Sequence, residues 1–160
     1  MVNRGRLARA TTVTRRVMRG FAPETLAAAR QAAKMSRGDL ARLIGVTPAT
    51  VGNWEAGRSK PQVDSLAQIA RVLGQPISQL VQVDPMRRYL GDLRVLAGLM
   101  QPELAREAGI STAHLSALER GEVRLTSDVA QRLAGSLHVP VGSVEQAYAL
   151  VRSRPAGDPP

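Results

Sequence analysis

Between Ser36 and Pro61 the apolar positions recur at helical spacing twice, on either side of a glycine. Leu40, Leu43 and Ile44 fall at i, i+3 and i+4 and predict one face of a short helix. Its start is marked by Ser36 as N-cap with Asp39 three residues on, a carboxylate version of the capping box. Gly45 predicts its end, because glycine enters the left-handed conformation of a helix stop without a Cβ penalty. A second start follows at once: Thr47 as cap and Pro48 at the first helical position, where the missing N–H costs nothing. Val51 and Trp54, at i and i+3, face inward. That leaves Ala49, Thr50, Gly52 and Asn53 outward until Gly57 stops the helix.

Upstream, Pro23-Glu24 opens a helix carrying Leu26, Ala29, Arg30 and Ala33. Downstream, a helix from Val63 to Leu73 aligns Leu66, Ile69, Ala70 and Leu73 ahead of Gly74, and Pro76 to Gln82 forms a short fifth helix with Ile77, Leu80 and Val81 inward. At Pro85 the pattern begins again. A shift of 64 residues without a gap pairs Leu26 with Leu90, Arg30 with Arg94, Leu40-Ala41-Arg42 with Leu104-Ala105-Arg106, Gly45 with Gly109, Glu55 with Glu119, and Ala70 with Ala134. This is an internal duplication. In the second copy, helix two is expected from Pro102 to Ala108, the turn at Gly109, and helix three from its cap Ser111 to Arg120. Only Val83-Asp84-Pro85 separates the copies, too little for a flexible tether, so the modules are expected to hold a limited range of angles.

The paired helices with their glycine corner, together with Leu26, Arg30, Leu40-Ala41, Glu55-Ala56-Gly57, Lys60-Pro61, Leu66, Ala70, Leu73-Gly74 and Leu80, resemble the phage repressor and Cro (XRE-type) helix-turn-helix family. The likeness spans roughly 60 positions per copy, about one small domain. It implies an all-α fold of two tandem five-helix repressor-like helix-turn-helix domains with a flexible basic N-terminal arm. The expected divisions are a basic arm at 1–20, disordered until bound, domain one at 21–84, domain two at 85–151, and a disordered tail at 152–160.

Composition narrows the function classes. Aromatic residues make up 2% of the chain, so any core is aliphatic, and the absence of cysteine excludes disulfides and thiolate metal sites. The longest apolar runs are far too short to span a bilayer, and a soluble cytoplasmic protein is expected. The formal net charge of +9 favours a polyanionic partner. Two-thirds of that excess comes from Arg4, Arg6, Arg9, Arg15, Arg16 and Arg19 in a stretch without an acidic residue. These arginines read either as an arm that lies along phosphates or in the minor groove, or as a solvated tail, or as the product of an upstream start codon with Met18 as an internal alternative. Residues 85–160 hold nine arginines against eight acids, a net charge of only +1.

The resemblance places the third helix of each copy in the major groove, with the helix before it crossing the backbone. In domain one, Pro48, Ala49, Gly52 and Asn53 are then expected at base edges. Asn53 is the one able to make a bidentate contact, best suited to adenine, while Pro48 and Ala49 offer apolar contact to a thymine methyl. Arg37, Thr47, Thr50, Arg58 and Lys60 suit phosphate oxygens. The matching set in domain two is Gln101, Ser111, Thr112, Ala113, His114, Ser116 and Arg124. There Val123 and Leu125 interrupt the polar loop, which leaves two readings: a second DNA reader with weak direct readout, or a module whose outer face grips a protein partner. Trp54 is expected in the core and Glu55 as a structural carboxylate, with Arg30–Glu55 and Arg94–Glu119 pairs inside the folds.

No catalytic constellation is legible. His114 and His138 have no further ligand at metal spacing, and no cofactor motif is present. Some relatives cleave themselves at an Ala-Gly bond with a Ser-Lys pair in a β-rich domain. Ala97-Gly98 and Ala156-Gly157 occur, but no sequence remains for such a domain, and the lysines are only Lys34 and Lys60. The expectation is therefore a non-enzymatic, sequence-specific regulator of transcription acting on double-stranded DNA, a repressor of phage or mobile-element kind, with homodimerisation extending its operator. The rival is an antitoxin or antiactivator that binds a protein through domain two.

Overall fold

The computed structural model describes residues 18–160, and these form ten α-helices and one 3₁₀ turn. Module one comprises α1 (Pro23–Ala32), α2 (Arg37–Ile44), α3 (Pro48–Glu55), α4 (Val63–Leu73) and α5 (Ile77–Leu80). After the 3₁₀ turn Pro85–Arg87, module two repeats the order with α6 (Leu90–Leu96), α7 (Gln101–Glu107), α8 (Thr112–Arg120), α9 (Ser127–Leu137) and α10 (Val141–Ser153). Among the described residues the sole β element is an isolated antiparallel bridge between Phe21 and Val81. No described helix is long and apolar enough to cross a membrane.

The local signals act as expected. Ser36 and Asp39 close a complete capping box on α2, and Gly45 ends that helix at φ 74°. Thr47 Oγ1 accepts from the Thr50 backbone N–H to cap α3. Each module then buries its own core: Leu26, Leu40, Val51, Trp54, Leu66, Ile69 and Leu80 lead the first, and Leu90, Leu104, Leu115, Leu118, Leu133 and Val144 lead the second. One ion pair is repeated in both. Arg30 donates to both carboxylate oxygens of Glu55 at 2.6 and 3.2 Å, and Arg94 does the same to Glu119 at 2.6 and 3.3 Å.

Several boundaries and faces depart from the sequence reading. Leu43, placed on the inner face of α2, is 48% exposed. The buried stripe runs instead through Leu40, Ala41 and Ile44, and Leu43 lies roughly 100° from its centre. The fifth helix is shorter than Pro76 to Gln82 because Val81 is extended (φ −125°) to bridge Phe21. Helix α7 starts one residue earlier than Pro102 and leaves Ala108 as its cap. The apolar loop residues Val123 and Leu125 are absorbed by module two itself: both pack against its core, and Tyr148 of α10 donates its hydroxyl to Val123 O at 2.7 Å.

Both ends of the chain's described part differ from a free arm and tail. Met18, Arg19 and Gly20, counted with the arm, are tied into the fold: Lys60 Nζ donates to Met18 O, Gln82 N donates to Gly20 O, and Arg19 pairs with Asp92. At the other end Arg152 and Ser153 belong to α10, where a tail was expected. The end of α8 needs acceptors satisfied, and arginines supply them: Arg152 donates to Gly121 O and Arg154 to Arg120 O, each at 2.9 Å.

Candidate nucleic-acid interface

Helix α3 presents its first turn outward because its inner face is spent on Val51 and Trp54, 0% and 5% exposed. Thr47, Pro48 and Ala49 are exposed there, and Thr50, Gly52 and Asn53 are half-buried along the same side. The Thr47 and Thr50 hydroxyls lie 2.8 Å apart. One of them donates to the other, so one O–H remains for an outside acceptor. Chemically this face offers apolar contact at Pro48 and Ala49, a hydroxyl at the helix start, and polar groups around Asn53.

Four more expected contact residues, Asn53, Arg58, Arg37 and Lys60, have intramolecular partners. Asn53 Oδ1 accepts from Arg58 Nε at 3.0 Å, leaving its amide N–H groups as donors. A bidentate adenine contact uses both ends of that amide, and Arg58 already takes one of the two lone pairs of its oxygen. Arg37 Nε donates to Glu55 Oε2 at 2.7 Å while its side chain stays 56% exposed. A Cβ on Gly52 would lie 3.8 Å from Arg37 Nη1, so the guanidinium lies along the outer side of α3 beside Gly52. Its remaining donors therefore lie on the side of α3 that carries Gly52. Lys60, through Met18 O, links the loop after α3 to the first of the described residues. Arg4, Arg6, Arg9, Arg15 and Arg16 lie outside the described residues.

Glu55 is the organising carboxylate beneath this surface, with a side chain 3% exposed. Burial works to raise its pKa, but the hydrogen bonds from Arg30 and Arg37 outweigh that and hold it below the ordinary value, so it stays charged at neutral pH. Asp39, in the capping box of α2, is likewise held low by hydrogen bonds from Ser36.

In module two, Ser111 Oγ accepts from His114 N at 3.0 Å, and Ser111, Thr112 and Ala113 are exposed at the start of α8. His114 and Ser116 are half-buried beside them. Gln101 takes the place of Arg37: its Nε2 donates to Glu119 Oε2 at 2.7 Å. Arg124 is exposed in the loop. A residue missed from sequence adds to this face: Arg120, whose guanidinium hydrogen-bonds Ser116 Oγ and pairs with Glu122 at 2.7 Å. The i, i+4 spacing of Ser116 and Arg120 was the available signal. Glu122 partly offsets Arg120, whereas the exposed Arg58 and Lys60 of module one have no acid in their loop. Burial pulls Arg94 down to about 10, with Asp92 acting the other way, so the guanidinium under module two is still protonated at neutral pH. Among the described residues no group of three or more His, Asp or Glu side chains is placed to hold a metal.

Both copies of this arrangement are matched by one family model, described as Helix-turn-helix, over residues 26–80 and again over 90–143. No curated protein matches the chain.

Proposed function

Since the chain belongs to the helix-turn-helix family of DNA-binding regulators and carries two tandem copies of its domain, we propose that it is a sequence-specific transcriptional repressor of phage or mobile-element kind, bound to duplex DNA in the cytoplasm. The observation that carries this reading is the outer face of α3: Thr47, Pro48 and Ala49 stand clear of the fold while Val51 and Trp54 anchor the helix from behind. Such a helix enters the major groove start first. Pro48, Ala49, Gly52 and Asn53 meet base edges, and Thr47, Thr50, Arg58 and Lys60 hold phosphates. Arg37, lying beside Gly52, serves the boundary between the two.

Module two is the weaker reader. Gln101, Ser111, Thr112, Ala113, His114 and Ser116 give it short polar contacts, and Arg124 a phosphate contact. A protein partner was suggested by the apolar Val123 and Leu125, and their packing into module two's own core removes that reason. The arginines of residues 1–17 add sequence-independent affinity.

Selection of bound fragments from a random duplex pool at near-physiological salt tests the reading, with recovery of a defined motif as the expected result. Asn53→Ala then relaxes preference at one base pair by about 1–3 kcal/mol. Equal losses on every sequence would make Asn53 a backbone contact, and recovery of no motif would end the proposal.

A further inference from the structure

The two modules meet along a seam that the duplication makes readable. At the 64-residue offset, Gln31, Ala32 and Lys34 of copy one correspond to Val95, Leu96 and Gly98 of copy two. In copy one all three positions are exposed. In copy two, Val95 belongs to the hydrophobic core of module one, and Leu96 packs against it. Gly98 completes the fit. Lys34 and Gly98 turn the chain the same way, at φ 54° and 72°, yet a Cβ on Gly98 would come within 3.1 Å of Ile77 Cδ1 and 3.2 Å of Ala67 Cβ. A side chain stands at this turn where the face is free, and none where module one approaches.

A polar clasp reinforces the apolar contact. Thr25 and Ala28 of copy one correspond to Tyr89 and Asp92. Arg19 takes both: it donates to Asp92 Oδ2 at 2.7 Å and its guanidinium stands 4.1 Å from the Tyr89 ring centre. The Asp92 side chain is 9% exposed, so this ion pair is largely shielded from solvent. Arg19 is in turn fixed to module one through its neighbours, Met18 O on Lys60 and Gly20 O on Gln82. At the free ends the same faces are not matched: the positions equivalent to Ala67 and Ile77 are Gln131 and Val141, both exposed.

We propose that this seam determines DNA specificity by locking α3 and α8 at one spacing and one mutual orientation, so that the chain reads a single composite site. The inference rests on both helices reading DNA, as argued above. A rigid pair docks its second module without ordering a linker, and it rejects half-sites at any other separation. Arg19, Val95, Leu96 and Gly98 are then specificity residues that touch no base.

The cysteine-free chain allows Gln31→Cys and Gln146→Cys to carry a spin-label pair, one label on each module, for distance measurement in the full-length protein. A narrow distribution is expected without DNA, and a broad one after Val95→Gln, Leu96→Ala and Gly98→Lys, the residues copy one already uses at these positions. Circular dichroism checks that module two stays folded, and Arg19→Ala provides a second, milder variant with intermediate broadening. In random-pool selection the parent should recover two motifs at constant separation, and the triple variant should bind that site at least tenfold more weakly and accept scattered separations. A broad distribution in the parent, or an unchanged one in the triple variant, overturns the seam. Two motifs at scattered separations with the seam closed overturn the composite site alone. A single motif from the parent overturns it through the loss of α8 as a reader.

Discussion

Glu119 and Glu55 occupy the same position in the two modules, yet their surroundings give them different consequences. Glu119 is 1% exposed and receives Arg94 and Gln101. Glu119→Ala leaves a guanidinium buried without its counter-charge and is expected to cost about 3–5 kcal/mol in urea denaturation, whereas Arg94→Met with Glu119→Leu should recover most of the loss. Glu55 shares the pH dependence of module one with Asp39. Its pKa in the folded state lies below the ordinary 4.5, so the stabilisation is fully present above that value and is lost as pH falls through the lower folded-state pKa. Thermal unfolding followed from pH 6 down to 2 should show this loss, and Glu55→Gln should flatten the profile. Both carboxylates were legible as structural from the repeated Arg and Glu spacing. The bonds of Asn53 to Arg58 and of Lys60 to Met18 were not, because long exposed side chains choose partners by distance in space rather than by helical period.

At the scale of the helix, α3 depends on its start. Thr47 is the only side-chain cap on an eight-residue helix, and it also holds the Thr50 hydroxyl. Thr47→Ala should lower stability by about 1 kcal/mol in chemical denaturation and weaken binding similarly on all DNA sequences, as loss of a phosphate contact does. Periodicity placed the inward residues of α3 and α4 correctly, since a face buried against two neighbours imposes the 3.6-residue repeat. It misplaced Leu43 because a helix this short has a narrow buried stripe, set by where α3 and α4 press on it. It also could not see that α10 would reach back: the 13-residue helix brings Tyr148 to Val123 and Arg152 to Gly121, turning an anomalous apolar loop into core.

For the molecule as a whole, charge and geometry separate. Most of the basic excess lies in residues 1–17, so removing them should flatten the slope of log affinity against log salt by up to about four units, with the selected motif unchanged. Binding titrations from low to moderate salt check this. The deletion stops at residue 17 because Met18 to Gly20 belong to the fold and Arg19 to the seam. An unchanged slope would show that these arginines do not reach the backbone.

The sequence by itself determined the all-helical class, the duplication, the caps and glycine stops, the repeated ion pair, and which side of α3 faces out. Each of these is a local pattern, or a pattern repeated at a fixed offset, and short-range sterics and burial enforce it wherever it occurs. Only the tertiary structure decided which groups on the open faces are already engaged, and that Val95, Leu96 and Gly98 serve a neighbouring module rather than their own. To a periodicity, an apolar residue looks the same whichever core receives it. The assignment depends on which surfaces come within contact distance once all the helices are packed.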